Sequence, residues 1–410
     1  MATRKDKRGR VLEKGEYQRK DGTYSYSYTD FAGKRHSLYA PDLAKLREKE
    51  RDLKISVWQG IEVERGNTLT LNETFDRYLQ TKFGLKESTV ASYNDMYDRY
   101  VRDEFGMQLI KNIRHSDVQS FYTYLLKKRG IGIRSVEYVQ QMLNPAFDLA
   151  IQDSIILKNP TKGVLAKIKK ANGYSRVKRH ALTMDQQRAF LNYIDGHPNW
   201  ARYHSIFQVM LGTGLRCGEF VGLRWQDVDF ERKIISVNHQ IVNVKGKKGK
   251  RPSYLHVSLP KSEAGIRNIP IMDPVMEAFK EEYRYEAARG FPNTVVEGYT
   301  DFIFTKQNGT VYTCNRLDKV LSDITESYNR QEIALSKEEN RDPLLLPHFS
   351  CHILRHTFCT RLCERDVNIK VIQTVMGHAN INITMDIYAE VSEKKQREAI
   401  EKMATELDVF

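Results

Sequence analysis

Residues 350–391 read SCHILRHTFCTRLCERDVNIKVIQTVMGHANINITMDIYAEV, and their periodicity sets the character of the C-terminal half of the chain. Residues three and four apart share a helix face, so His352 and Arg355 in His352-Ile-Leu-Arg355-His356 can converge on one ligand. Ile369, Ile372 and Val375 follow as an apolar stripe that Gly377 terminates, leaving His378 outside the regular helix. Asn382-Ile-Thr-Met-Asp-Ile-Tyr388-Ala-Glu-Val391 then forms a short segment with a tyrosine, one of 22 in the chain. Most of these tyrosines must be packing residues, so Tyr388 taken singly says little.

Upstream, Leu211-Gly-Thr-Gly-Leu-Arg216-Cys-Gly-Glu219-Phe places an arginine just after a glycine-rich turn, with a glutamate on the next turn of the helix it begins. An oriented guanidinium results, although a surface Arg-Glu pair is the usual explanation of such a segment. A capping box, Thr183-x-x-Gln186, opens this half, and a β region is expected at Ile234 to Val244, Tyr254 to Leu259 and Ile266 to Ile271. Lys261 stands at the turn between the last two strands. The loop between the first two carries Lys247, Lys248, Lys250 and Arg251, which are candidate phosphate contacts, although an exposed hairpin tip tolerates charge in any case. An irregular, charged interval is expected near Ser336 to Asp342.

The N-terminal segment reads as a small β-sheet with a helix against it. Tyr24, Tyr26 and Tyr28 alternate with Ser25, Ser27 and Thr29 after an Asp21-Gly22 turn, giving one aromatic strand face, and Pro41 precedes a charged helix from about Asp42 to Trp58. Arg8, Arg10, Arg19, Lys20, Lys34 and Arg35 crowd the β part, and a basic β-ribbon with aromatic backing can enter a DNA groove. The tyrosines also serve as the core of so small a sheet. Gly60 to Gly66 looks like a linker, after which Thr70-x-x-Glu73 caps an amphipathic helix. Ser88 can cap a second helix, Asp117 opens a third that stops at Gly130, and a fourth from about Val136 to Ile155 contains Pro145, which should kink it. Asn159-Pro160 ends that domain, and the basic stretch from 163 to 181 reads as a linker beside the DNA backbone or as a solvated tether.

The boundaries are therefore a β unit at 1–65, an all-helical domain at 66–162, a basic linker at 163–181 and a mostly helical domain with a small antiparallel sheet at 182–410, a multidomain α+β chain. Lys and Arg total 65 against 52 Asp and Glu, a formal charge of +13, which makes a polyanion, nucleic acid first, a plausible partner. No apolar run is long enough to cross a bilayer, and MATRKDKRGR lacks the apolar stretch of a secretory signal, so no membrane partner and a cytoplasmic, nucleoid-associated location are expected. The five cysteines, Cys217, Cys314, Cys351, Cys359 and Cys363, have no secreted-scaffold spacing and point to reduced thiols. Cys351, His352, His356, Cys359 and Cys363 offer a rival metal reading. No second ligand pair has a zinc-module spacing, so buried thiols explain them better.

Arg216, Lys261, His352, Arg355, His378 and Tyr388, in this order, resemble the catalytic domain of the tyrosine recombinases, the phage-type integrases. The wider layout, a basic β N-terminus, a helical middle and this catalytic half, is similar to integrases of the conjugative-transposon (Tn916-like) group. The resemblance implies a DNA integrase in which Tyr388 forms a 3′-phosphotyrosine, with Arg216, Arg355 and His378 holding the phosphate. It implies Lys261 as the acid for the departing 5′ oxygen, His352 as proton handler or phosphate ligand, and Glu219 as the group that orients Arg216. The N-terminal unit would bind arm sites, the helical domain core sites, and a homotetramer would exchange strands with an excisionase or DNA-bending accessory protein. The covalent ester conserves bond energy, which fits the absence of a G-x-x-x-x-G-K-[ST] loop, and neither ATP nor a metal is implied. The tail stripe Ala399, Ile400, Met403 and Leu407 wants an apolar groove, on a neighbouring subunit or on its own domain. Two other readings stand beside this one: a type IB topoisomerase-like enzyme, and a DNA-binding regulator with an inert C-terminal half.

Overall fold

In the computed structural model the described residues are 4–29, 33–58, 68–175, 180–244, 246, 252–260 and 263–407. The chain divides into two compact units, Met1–Arg176 and Val177–Phe410.

The first unit opens with an antiparallel sheet of order β1 (Glu16–Gln18), β2 (Tyr24–Thr29), β3 (Arg35–Ala40), followed by α1 (Leu43–Trp58). Register sets Tyr24 opposite Ala40 and Tyr26 opposite Leu38, and these residues pack with Leu12, Leu43 and Leu46. The aromatic strand face is thus the core face. The opposite face carries Ser25, Ser27, Ser37, Tyr17, Tyr39 and Arg35, as the period of two requires. The expected linker at Gly60 to Gly66 lies outside the described residues.

The helical part comprises α2 (Leu71–Thr81), α3 (Glu87–Tyr100), α4 (His115–Lys127), α5 (Ile133–Gln152) and α6 (Val164–Ala171). The Thr70/Glu73 box forms: the Thr70 N–H donates to Glu73 Oε2 at 2.8 Å, and the Glu73 N–H to Thr70 Oγ1 at 3.2 Å. Two starts differ from the sequence reading. α3 begins one residue before Ser88, with Glu87 in the electropositive first turn, and α4 begins at His115. Asp117 acts from the third position, accepting the Arg114 N–H at 2.8 Å. α5 starts three residues earlier than expected and continues through Pro145 to Gln152.

The expected linker at 163–181 needs correction. Its first half is α6, whose Val164 and Ile168 are buried in the core of the helical part with Phe75, Tyr97, Val118 and Phe147. They lie four residues apart, one helical turn, an interval that Lys167, Lys169 and Lys170 obscure in the sequence. Asn159 makes the preceding corner rigid, its Nδ2 donating to Asn144 O at 2.9 Å and Asp148 Oδ1 at 2.7 Å. Arg176, Lys178 and Arg179 lie outside the described residues.

The second unit contains α7 (Met184–Ile194), α8 (His204–Thr213), α9 (Cys217–Gly222), a sheet of order β4-β5-β8 (Val228–Asp229, Ile234–Val237, Arg267–Pro270) and a hairpin of β6 (Gln240–Val244) with β7 (Tyr254–Ser258). Then follow α10 (Asp273–Arg289), α11 (Cys314–Glu338), α12 (Cys351–Glu364), α13 (Ile369–Met376) and α14 (Asn382–Leu407). The run Ile234 to Val244, read above as one strand, is two strands in different sheets. It breaks at Asn238-His239, where the buried His239 turns inward and its Nε2 meets the Gly222 carbonyl at 2.7 Å. The irregular interval expected from Ser336 starts later, since α11 runs to Glu338 with Ser336 buried.

α8 is apolar nearly all round, with Ile206, Phe207, Val209 and Met210 buried, and packs between α10 and α12. It is the centre of this core. Tyr388 lies not in a short segment but early in the long helix α14. Ile400 on that helix is 63% exposed, while the side chains of Ala399, Met403 and Leu407 lie outside the described residues. Among the described residues, no helix is long and apolar enough to cross a membrane.

Candidate active site

The site grows from the ends of elements. α8 stops at Gly214, whose φ of +62° favours glycine, and a Cβ there would stand 2.4 Å from the Phe358 ring. Close packing of α12 on this turn therefore requires the missing side chain. Two residues on, Arg216 caps α9: its backbone N–H donates to Glu219 Oε2 at 2.9 Å and its Nη1 to Glu219 Oε1 at 2.7 Å. The Arg216-Glu219 pair read from the sequence is real but not a surface pair, because Glu219 is only 5% exposed.

α13 ends at Gly377, φ +61°, where a Cβ would come within 2.8 Å of the Ala264 carbonyl oxygen. Three consecutive carbonyls at this helix end each accept from a different arginine. Arg267 Nε donates to Val375 O at 2.7 Å, Arg355 Nη2 to Met376 O, and Arg216 Nη2 to Gly377 O at 2.6 Å. A helix leaves its last carbonyls unpaired and its C-terminus partially negative, so the end of α13 is a natural seat for cations. Arg355 also donates from Nη1 to Gly214 O at 2.7 Å, which ties α12 to the turn before α9.

His378 follows directly. Its backbone N–H donates to Gln373 O at 3.1 Å, its Nδ1 lies 3.0 Å from Thr384 Oγ1, and both His378 and Thr384 are buried. Burial, then the charges of Arg355, Arg216 and Arg267, hold the imidazole down to about 4, so it is neutral at pH 7. Burial and next the Arg216 charge lower the Arg355 guanidinium to about 9, leaving it protonated at neutral pH. For Glu219 burial works upward, but hydrogen bonds and charge from Arg267, then the charge of Arg216, outweigh it and hold the carboxyl below its usual range.

Tyr388 is half-buried against the cluster that contains Phe358, Cys359, Ile372 and Met376, so the packed group of α12, α13 and α14 carries Arg355, the turn to His378 and the tyrosine. His352 lies on the exposed side of α12, near enough for its charge to bear on His378. Lys261 lies outside the described residues, as do Lys247, Lys248, Lys250 and Arg251.

Arg267 is the residue the sequence reading passed over. It sits at an inward position of β8, 6% exposed, between exposed Ile266 and Asn268. Its Nη1 and Nη2 donate to the two oxygens of Glu219 at 3.0 and 2.8 Å. An arginine in phase with the buried Ile269 on an alternating strand was the available signal.

The rival metal set does not gather. Among the described residues, the only three His, Cys, Asp or Glu ligand atoms lying within 4.8 Å of one another belong to Glu13, Glu16 and Glu50, and Arg47 and Lys54 already pair with Glu16 and Glu50. All five cysteines are free thiols, and Cys351, Cys359 and Cys363 are buried.

The basic residues of the N-terminal sheet divide. Arg10, though exposed, is engaged with the sheet, its Nε 2.8 Å from the buried Asp6 carboxylate and its Nη2 2.7 Å from the Tyr24 hydroxyl. Arg19 pairs with Asp21 at 3.3 Å and lies over the Tyr39 ring. Arg8, Lys20, Lys34 and Arg35 are exposed.

The model of the phage integrase family matches residues 180–395, more than half of the chain, and the chain belongs to that family. Models of the DNA binding domain of Tn916 integrase and of the phage integrase N-terminal SAM-like domain match residues 1–57 and 70–126. The chain is thus a tyrosine-type recombinase with the domain make-up of a Tn916-type integrase. It is 28% identical over 403 residues, 95% of this chain and 94% of the relative, to the transposase from transposon Tn916 of Enterococcus faecalis. It is 31% identical over 279 residues to tyrosine recombinase XerA of Pyrococcus horikoshii, covering 68% of this chain and 76% of that one. The Tn1549 transposon integrase, solved in complex with transposon right end DNA, is similar with a TM-score of 0.68 and 28% identity, over 82% of this chain and all of that one.

Proposed function

We propose that Tyr388 attacks a DNA phosphodiester whose non-bridging oxygens are held by Arg216, Arg355 and His378, so that a mobile element is integrated and excised. The phenol oxygen forms a bond to phosphorus, the bond to the 5′ oxygen breaks, and a 3′-phosphotyrosine and a free 5′ hydroxyl result. Religation reverses the step with another 5′ hydroxyl, so one ester is exchanged for another without an external energy source. The observation that carries this reading is the convergence of two guanidiniums and a neutral imidazole at the end of α13, with the tyrosine on a helix packed against it.

Each residue type suits its part. Guanidiniums present forked donors to phosphate and stay charged. A neutral His378 that accepts the Thr384 hydroxyl at Nδ1 keeps its proton on Nε2, where it donates to a phosphate oxygen. Glu219 orients Arg216, Lys261 gives a proton to the departing 5′ oxygen, and His352 handles a proton or binds phosphate. The N-terminal sheet binds arm sites in double-stranded DNA, the helical domain and the catalytic domain grip core sites, and protomers act as a homotetramer with an excisionase or DNA-bending partner.

Incubation of the full chain with a nicked duplex bearing the end of its own element tests this reading. The wild type traps a covalent protein–DNA adduct, and Tyr388→Phe binds the duplex without forming one. An adduct that persists in Tyr388→Phe, or that never forms in the wild type, refutes it.

A further inference from the structure

Arg267 spends its donors inside the protein. Its Nε donates to Val375 O, its Nη1 to Glu219 Oε1 and, at 3.3 Å, to Gly265 O, and its Nη2 to Glu219 Oε2. Four of the five N–H groups of a guanidinium are therefore committed inside the protein, and the side chain is 2% exposed. Arg216 and Arg355, by contrast, each place two such bonds on Glu219 or backbone carbonyls, and Arg216 is 39% exposed.

We infer that Arg267 is a positioning residue for DNA cleavage: it fixes Glu219 and the end of α13 together, and supplies the charge that fits the pocket to a doubly negative transition state. The inference rests on the catalytic reading above. Three guanidiniums against one carboxylate, with His378 neutral, leave the pocket with a net of two positive charges. A phosphodiester brings one negative charge, and attack by the tyrosine oxygen adds a second in the pentacoordinate state. Fixed charges that match the transition state better than the ground state accelerate the chemical step. Without Arg267, Glu219 would cancel one of the two arginines that face the phosphate.

Arg267 also takes part of the load on the neighbouring groups. Its charge is among those that keep His378 neutral, after burial, Arg355 and Arg216. Through Val375 it ties β8 to the end of α13.

The test is single-turnover cleavage of the nicked duplex by the full chain, with DNA affinity and the pH profile measured in parallel. Arg267→Met is expected to bind DNA within about threefold of wild type and to cleave roughly 10- to 100-fold more slowly, below the loss from removing a direct oxyanion donor. Its acid limb moves to higher pH, because His378 is freed from one repelling charge. Glu219→Gln/Arg267→Met restores the net of two charges and is expected to regain roughly tenfold over Arg267→Met. Arg267→Lys, which keeps the charge, serves should the methionine variant not fold. It is expected to retain the wild-type acid limb while cleaving at least about threefold more slowly, since one ammonium cannot serve Glu219 and Val375 together.

Cleavage by Arg267→Met or Arg267→Lys at the wild-type rate overturns the inference, as does a slow Arg267→Met that the double variant fails to relieve. A wild type that forms no adduct fails the catalytic reading instead; a wild type that does, matched by Arg267→Met, fails only the role of Arg267.

Discussion

Glu219→Ala should be the most destabilising single change around the site. The carboxylate accepts from the Arg216 N–H at 2.9 Å, from Arg216 Nη1 at 2.7 Å, and from Arg267 Nη1 and Nη2 at 3.0 and 2.8 Å. Arg216 can turn to water, so its share is small. Arg267 cannot, and a buried charge left without its partner costs about 3–5 kcal/mol. For a domain of this size each kcal/mol moves the midpoint by about 2–4 °C, so the thermal transition of the catalytic half should fall by about 6–20 °C. Trp200 and Trp225 lie against its core, so intrinsic fluorescence reports that transition. The folded pKa of Glu219 lies below the unfolded one, so its stabilisation is fully present above about pH 4.3 and lost as pH falls through the folded value. The gap between wild type and variant should therefore close in acid. A Glu219→Ala protein melting within about 2 °C of wild type would refute the idea that this carboxylate is the counter-charge of the pocket.

Thr384→Val removes the hydroxyl beside His378 Nδ1 while keeping the side-chain shape; leaving a buried nitrogen unpaired costs about 1–3 kcal/mol, and single-turnover cleavage should fall by about tenfold with DNA affinity unchanged. Cleavage within about twofold of wild type would remove the hydroxyl from the account. Inorganic sulfate should raise the midpoint of the catalytic half, by about 2.7 kcal/mol of linkage at a hundred times its dissociation constant, and Arg216→Ala should abolish the gain while sodium chloride at equal ionic strength does not reproduce it. In the N-terminal sheet, Arg10→Ala should unfold the local structure seen by amide exchange, because Arg10 pairs with buried Asp6, whereas Arg35→Ala should leave exchange intact and lower the salt slope of DNA binding by about one. Equal effects of the two substitutions would contradict that division.

Four of the six positions proposed as catalytic stand where local rules are visible, Arg216 and His378 just past glycines that end helices, His352 and Arg355 one turn apart on a helix, whereas Tyr388 and Lys261 were picked out by the resemblance. The same rules found the capping boxes at Thr70 and Thr183. What escaped depends on contacts far apart in sequence. Arg267 is 48 residues from Glu219 and 108 from Val375, and its phase with Ile269 on a four-residue strand is too short a local signal to name those partners. The break in the run Ile234 to Val244 also comes from outside, since β5 pairs with β8 and β6 with β7, and only the buried His239 marks the division. α6 was missed for a different reason: its burial rests on Val164 and Ile168 alone, and two apolar residues among lysines form too short a pattern to outweigh composition.

The end of α13 explains how three guanidiniums can be held in one place. Arg216, Arg267 and Arg355 repel one another, and that repulsion, together with burial, already weakens the hold of Arg355 on its proton. A single carboxylate offsets only part of it. The remainder is met by the carbonyls of Val375, Met376 and Gly377, acceptors that a helix necessarily leaves unpaired and that carry the negative end of its dipole. Carbonyls have an advantage over further carboxylates here, because they orient guanidiniums without cancelling their charge. The left-handed turn at Gly377 is followed at once by His378, a buried, neutral imidazole within reach of the same three charges. On the reading proposed above, such a site needs little rearrangement when a phosphate enters, which is the condition under which fixed dipoles and charges lower a barrier most.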